Sequence, residues 1–328
     1  MIITRTPFRI SFFGGGTDYP AYYREHGGAV LSTTINRYCY ITTRLLPPFF
    51  DHRYCIRYSK REDVNAIDEI QHPSVRECLR FMQIDQGIEM VHTSDIPAMS
   101  GVGSSSAFTV GLLNSLYALT GRMATKRQLA MEAIHVEQNL IGENVGSQDQ
   151  TAAAFGGLNR IDFSGDGGPL VTPVTIRSEA LQHVQQHLLF FFTGFSRISS
   201  AVAAAQVAAM PAKLTQLALM KEMVASAVEI LCGPLEKYSE FGKLLHEAWM
   251  VKRSLTDKIS DSAIDAIYET GRAAGAIGGK LCGAGGGGFM LFYAPPHRHS
   301  QIKQALAKLV HVPIRFDTLG SHVVFCSE

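Results

Sequence analysis

From Ile96 to Phe108 the chain reads Ile-Pro-Ala-Met-Ser-Gly-Val-Gly-Ser-Ser-Ser-Ala-Phe. Pro97, Gly101, Val102, Gly103, Ser104, Ser105 and Ser106 thus run straight into apolar residues at helical spacing, Phe108, Leu112, Leu116 and Leu119. The first N–H groups of a helix have no intrahelical partner and sit at the positive end of its dipole, so a glycine turn that bares them makes an anion site. Gly101 and Gly103 let a backbone close on a phosphate with no Cβ between them, and the three hydroxyls can cap the helix, donate to a phosphate oxygen or ligate magnesium. A plain glycine turn with a serine N-cap has the same local grammar. The stretch has neither the Gly-x4-Gly-Lys-Ser/Thr of a Walker loop nor the third glycine of a dinucleotide fingerprint, so a nucleotide here would need another fold.

Four charged residues could act with such a loop. Arg9 lies in an alternating run in which Phe8, Ile10 and Phe12 face one side and Arg9 and Ser11 the other; the run ends in Gly14-Gly15-Gly16-Thr-Asp18. A basic residue followed at this distance by a carboxylate could grip a polyhydroxylated molecule, although Asp18 could equally bond its own turn. Glu137 lies beside the stripe Leu129, Ala133, Val136 and Leu140, where a carboxylate is either a snorkelling surface group or one of the one or two carboxylates that magnesium commonly takes. Asp149 sits among small residues between Gly146 and Gly157 and is expected in an active site. Near the end, Gly283-Ala-Gly285-Gly-Gly-Gly288 feeds an apolar strand; so many glycines lose much conformational entropy on folding, which close backbone approach should offset.

These residues need a scaffold to bring them together. The first half reads as strand-rich: a strand at 7–13, one or two strands over 29–44, a polar stretch from 47 to 85, the loop helix, a helix opened by the capping pattern Thr125 to Gln128, and a hairpin over 161–176. The second half reads as one strand at 188–192, helices near 212–231, 235–249 and 261–277, the glycine loop and its strand, a helix at 300–310 and two final strands. The expected division is an N-terminal domain over 1–178 and a C-terminal domain over 179–328.

Composition limits the partners. Lys and Arg number 30 against 29 Asp and Glu, a net charge of +1, so no field gathers nucleic acid or a membrane surface and a small charged ligand must be held locally. The six cysteines show no metal spacing, and no leader or apolar span is evident, which suggests a cytoplasmic protein.

Three motifs in fixed order, Pro7-Phe-Arg9 through Asp18-Tyr19, Pro97 through Ala107, and Cys282 through Phe289, together resemble the GHMP kinase superfamily over nearly the whole chain. The resemblance implies an α+β, two-domain fold, an N-terminal domain like ribosomal protein S5 and a ferredoxin-like C-terminal domain, with ATP and Mg2+ in the cleft between them. It assigns Gly101, Gly103, Ser104 and Ser105 to the ATP phosphates, with Gly285 and its loop behind them, and Ser105 with Glu137 to magnesium. Asp149 faces the acceptor hydroxyl, Arg9 the transferring phosphoryl, and Asp18 the sugar hydroxyls. Within the superfamily the glycine runs look most like kinases that phosphorylate D-glycero-D-manno-heptose 7-phosphate at the anomeric hydroxyl, with fucokinase-type enzymes as near neighbours. Gly15 and Gly16 stand where galactokinase-like enzymes carry Glu-His, which fits a larger acceptor. A 7-phosphate would need a cationic clamp, for which Arg197 is the first candidate and Lys252 and Arg253 the next. The expected partners are a sugar or sugar phosphate and ATP, with the oligomeric state open and a homodimer among the options. A non-catalytic sugar sensor is the rival reading, disfavoured because Arg9, Ser105, Glu137 and Asp149 are all present.

Overall fold

The structure, a computed structural model, describes residues 1–165, 167–194 and 199–327. Its strands are β1 (Ile2–Phe13), β2 (Gly28–Leu45), β3 (Tyr54–Arg57), β4 (Arg61–Val64), β5 (Ile88–Ser94), β6 (Leu158–Phe163), β7 (Leu170–Pro173), β8 (Leu188–Phe192), β9 (Gly278–Leu281), β10 (Phe289–Tyr293), β11 (Val310–His311), β12 (Phe316–Asp317) and β13 (His322–Cys326). Its helices are α1 (Pro20–His26), α2 (Pro73–Phe81), α3 (Ser104–Leu119), α4 (Lys126–His135), α5 (Gln148–Phe155), α6 (Ser178–Gln186), α7 (Ser199–Ala209), α8 (Leu214–Cys232), α9 (Tyr238–Arg253), α10 (Ser262–Ala273) and α11 (His299–Ala305).

The strand at 7–13 is longer than its alternation suggests because β1 starts at Ile2. It pairs antiparallel with β2 along its whole length, Arg9 opposite Thr34 and Ile10 opposite Thr33. β2 is one strand of 18 residues, rich in β-branched side chains; its first part pairs with β6 and its second with β5. The polar stretch after Pro47 is more ordered than its composition suggests: β3 lies parallel to β5 and antiparallel to β4, and α2 follows. Among the described residues a second sheet runs β11-β8-β10-β9, with Phe190 opposite Leu291.

The two sheets do not follow a single cut at residue 178. That position opens α6, ahead of the second sheet, but β12 and β13 return to pair with β2 and β1 of the first. The capping expectation at α4 holds by half. Thr125 Oγ1 accepts from the Gln128 N–H at 3.1 Å, while the Gln128 side chain turns away to Tyr117 and Glu132.

What places the site is α3 packed under β1 and β2. Phe108, Leu112 and Leu116 bury its stripe, and the helix N-terminus points into the space between the sheets.

Candidate active site

Gly103 caps α3 with φ +76, and the first intrahelical bond runs from the Ala107 N–H to the Gly103 carbonyl at 2.9 Å, so the N–H groups of Ser104, Ser105 and Ser106 have no partner within the helix. The loop is held from behind. A Cβ on Gly101 would lie 2.5 Å from the Cys282 carbonyl oxygen, and one on Gly283 would lie 2.4 Å from Gly101 Cα, so the two glycine loops touch backbone to backbone. The Ser104 hydroxyl accepts from the Met99 N–H at 3.2 Å, the Ser100 hydroxyl donates to the Pro97 carbonyl at 2.7 Å, and the carbonyl of buried Val102 accepts from the Arg9 N–H at 3.0 Å.

Beneath this loop Arg9 and Asp149 form a bidentate pair, Nε to Oδ1 and Nη2 to Oδ2, both 2.7 Å, and Arg9 Nη1 donates to the Gly101 carbonyl at 2.7 Å. Burial alone would lower the Arg9 pKa, but Asp149 more than offsets it and holds the guanidinium above its ordinary value. A Cβ on Gly103 would meet Arg9 Cγ at 3.2 Å and Asp149 Oδ2 at 3.3 Å, so the helix cap sits against the pair. Asp18 lies on the same cavity, 1% exposed. Its Oδ1 accepts from the Gly16 N–H at 2.9 Å and its Oδ2 from the Gln148 N–H at 3.3 Å, and burial pushes its pKa up despite those bonds.

Glu137 is 1% exposed. Ser106 Oγ donates to its Oε2 at 2.8 Å and Gln150 donates to the same oxygen, while Oε1 has no partner. Burial raises its pKa to about 7, against the opposing bonds from Ser106 and Gln150. A buried carboxylate with one orphaned oxygen suits a hard divalent cation, which prefers oxygen ligands.

The cavity has a volume of about 920 Å3. At one end Tyr58, His72, His92 and Phe108 form an aromatic wall, His72 stacked on Phe108 with ring centroids 4.6 Å apart. Burial lowers the His72 pKa to about 4 and also lowers that of His92, so both rings are neutral near pH 7. At the other end lie Gly15, Gly16 and Asp18, and Lys252 and Lys280 line the space near Gly283.

The structure thus brings Arg9, Asp18, Asp149, Pro97, Gly101, Gly103, Ser104 and Ser105 onto one cavity with Gly15 and Gly16. Ser105 is exposed on the cavity, and Ser106, one position on and turned inward, bonds Glu137. Two ligands of one ion need not touch each other, so that bond does not overturn the pairing of Ser105 with Glu137 about magnesium. The final glycine loop lies behind the phosphate loop through Gly283 and Gly288, which meet Gly101 and Ser100, while the Cβ position of Gly285 faces Ile259 Cα at 2.7 Å. Among the clamp candidates Arg197 lies outside the described residues, and Arg253 pairs with Asp265 at 2.7 Å away from the cavity. Sequence reasoning misses Lys280. A lysine in the short buried strand β9 needs a polar destination, and that was the available signal. Lys252 likewise continues the buried face of Phe241, Leu245 and Trp249 on α9.

A bared helix N-terminus over a part-buried Arg–Asp pair, in a cavity lined from both sheets, suits phosphoryl transfer to a small molecule. The chain belongs to the GHMP kinases: residues 70–157 match the GHMP kinases N terminal domain and residues 224–311 the GHMP kinases C terminal domain. Its α+β fold is the two-domain fold of that family, whose members use ATP. It is 27% identical over 319 residues to the D-glycero-alpha-D-manno-heptose 7-phosphate kinase of Campylobacter jejuni, covering 94% of this chain and 93% of that protein. It is 25% identical to the L-fucokinase/L-fucose-1-P guanylyltransferase of Bacteroides fragilis, covering 93% of this chain and 36% of that protein. It superposes with a TM-score of 0.81 and 21% identity on a D-glycero-D-manno-heptose 1-phosphate kinase from Bacteroides thetaiotaomicron, over 100% of both chains. None of the helices described is long and apolar enough to cross a membrane.

Proposed function

We propose that this kinase transfers the γ-phosphoryl group of ATP to the anomeric hydroxyl of a sugar, with D-glycero-D-manno-heptose 7-phosphate as the acceptor, in the cytoplasm. The observation that carries the reading is the part-buried Arg9–Asp149 pair against the helix cap at Gly103. Phosphoryl transfer needs positioning and charge neutralisation more than covalent help from the protein. The free N–H groups of Ser104 to Ser106 would hold the phosphates, and the aromatic wall of His72 and Phe108 would take the base. Arg9 holds Asp149 by both oxygens, and each oxygen keeps a lone pair free. One of these would orient the acceptor hydroxyl and receive its proton, and an anomeric hydroxyl is acidic enough to need no strong base.

The hydroxyl of Ser105, which lines the cavity, with Glu137 through its unpartnered Oε1, would hold magnesium. When bound, the ion supplies charge neutralisation on the phosphates.

The heptose reading is supported by the similarity to the Campylobacter jejuni enzyme over most of both chains and by Gly15 and Gly16, which leave the acceptor end open. Similarity to about a third of a bifunctional L-fucokinase/L-fucose-1-P guanylyltransferase favours a second acceptor, an unphosphorylated sugar. ADP release with magnesium-ATP across heptose 7-phosphate, fucose, galactose, mevalonate and homoserine separates them. Turnover with the heptose phosphate alone is the expected result. Turnover with free fucose moves the acceptor to the second reading, and ATP binding without any turnover leaves a sensor.

A further inference from the structure

Lys252 and Lys280 are 5% and 4% exposed, both line the cavity, and among the described residues neither ammonium has a carboxylate within ion-pair distance. Among the described residues each is tied only to backbone oxygens. Lys252 Nζ donates to the Gly283 carbonyl, and Lys280 Nζ donates to the carbonyls of Ser11 at 2.7 Å and Phe12 at 2.9 Å. An ammonium has three N–H donors, so these bonds leave two on Lys252 and one on Lys280. The carbonyl that holds Lys252 belongs to the glycine packed on Gly101, whose own carbonyl holds Arg9. Lys252 therefore stands beside the Arg9–Asp149 pair, Lys280 is held by the same strand two and three residues after Arg9, and both feel the charges of Arg9 and Asp18.

Two buried ammonium groups without carboxylate partners either give up protons or need an anion beside them. Asp149 is taken up by Arg9, and Asp18 already accepts two backbone bonds. A pair serving only as backbone staples would not need to sit on the cavity with donors to spare.

We propose that Lys252 and Lys280 are catalytic residues that hold the oxygens of the phosphoryl group as it passes from nucleotide to acceptor, alongside Arg9. The inference rests on the site reading above. In the step the bond from the γ-phosphorus to the ADP oxygen breaks with its electron pair leaving on ADP, the bond from phosphorus to the acceptor oxygen forms, and the acceptor proton passes to Asp149. The lysines meet the negative charge on the equatorial phosphoryl oxygens, where pre-placed cations in a dry site act most strongly. Burial is the main reason their pKa values fall, to about 8 for Lys252 and about 7 for Lys280, and an arriving phosphoryl group would favour their charged forms.

The test uses Lys252→Gln and Lys280→Gln, which keep an N–H donor for the backbone but lose the charge, with Lys252→Met as a volume-matched second variant. The first readout needs no acceptor: the rise in melting temperature with ADP plus aluminium fluoride, a planar phosphoryl mimic, over ADP alone. It is expected in the wild type and lost in each variant, while the response to ADP is kept. The second is turnover, expected to fall ~10²-fold or more per lysine, equally for phosphorylated and unphosphorylated acceptors, with ATP affinity within about threefold. Full turnover and a full aluminium fluoride response in the variants overturn the proposal. A raised KM confined to a phosphorylated acceptor also overturns it, by assigning the lysines to the acceptor's own phosphate. Asp149→Asn is run in parallel: if that variant stays fully active, the site reading itself has failed, whatever the lysines do.

Discussion

Asp149 is held by Arg9 through two parallel bonds of 2.7 Å, a geometry that an amide does not reproduce, because its NH2 would face an N–H donor of the guanidinium. Asp149→Asn is therefore expected to lose both the proton acceptor and the anchoring of Arg9, lowering turnover by ~10²-fold or more with ATP affinity nearly intact. Steady-state kinetics with ATP and acceptor varied separately would show it, and near-normal turnover would remove Asp149 from the mechanism. Glu137 makes a prediction about pH. Its folded-state pKa is raised to about 7 from an ordinary 4.5, so folding takes up a proton between those values. The neutral form's contribution is whole below about pH 4.5 and is lost as pH rises through 7, an upper bound of about 3 kcal/mol. Metal-free protein should thus melt lower at pH 8 than at pH 5.5, magnesium should restore more at pH 8, and Glu137→Gln should flatten the slope and raise the metal need for turnover. An unchanged slope in that variant would clear Glu137 as its source. Asp149 was legible in the sequence because a charge among glycines and small residues has few structural explanations, and Arg9 because the alternation of its strand turns it away from the aromatic face. Which serine meets Glu137 was not, because Ser105 and Ser106 differ only in rotation about α3, and packing against the following helix sets that rotation.

At the level of elements, the phosphate loop is shaped by a second loop far along the chain. Gly283 has φ +74 and its Cβ position lies 2.4 Å from Gly101 Cα, so Gly283→Ala must both strain the backbone and push the loops apart. Backbone strain alone is worth about 1–3 kcal/mol. The displacement should also raise the KM for ATP by about tenfold, roughly 1.4 kcal/mol of lost nucleotide contact. Gly285→Ala provides the contrast. With φ +126 and Ile259 Cα 2.7 Å away it should lower the melting temperature while leaving ATP affinity largely intact, because its clash lies away from Gly101. Equal effects of both variants on ATP would contradict this division of labour. The glycine run itself announced close backbone approach, but which glycine approaches what depends on where α9 and α10 leave the chain that follows. The same limit hid Lys280: local pattern marks a strand as buried, and only the neighbouring β1 supplies the carbonyls that explain a lysine there.

For the whole molecule, a boundary at 178 suggested two units, yet the apolar core runs between the sheets. Phe12 and Phe13 of β1 meet Phe241 of α9 edge-on, with ring centroids 5.5 Å and 5.2 Å apart, and Phe241 meets Tyr293 of β10 at 5.6 Å. β13 then crosses back to pair with β1, Ile2 opposite Cys326. Short final strands look alike wherever they pair, so their return to the first sheet could not be read from their residues. A continuous core and a returning strand couple the two halves, and unfolding either would expose Phe241 and leave β1 with an open edge. Scanning calorimetry of the intact chain should therefore give one transition, not two. Phe241→Ala should lower that transition as a whole, by the about 3–5 kcal/mol typical of removing a buried aromatic ring, instead of splitting it. Two resolved transitions in the wild-type chain would show halves that fold independently. The site would then be assembled by docking of separate units, and Arg9 and Asp149 would depend on Lys252 and Lys280 only in the closed state.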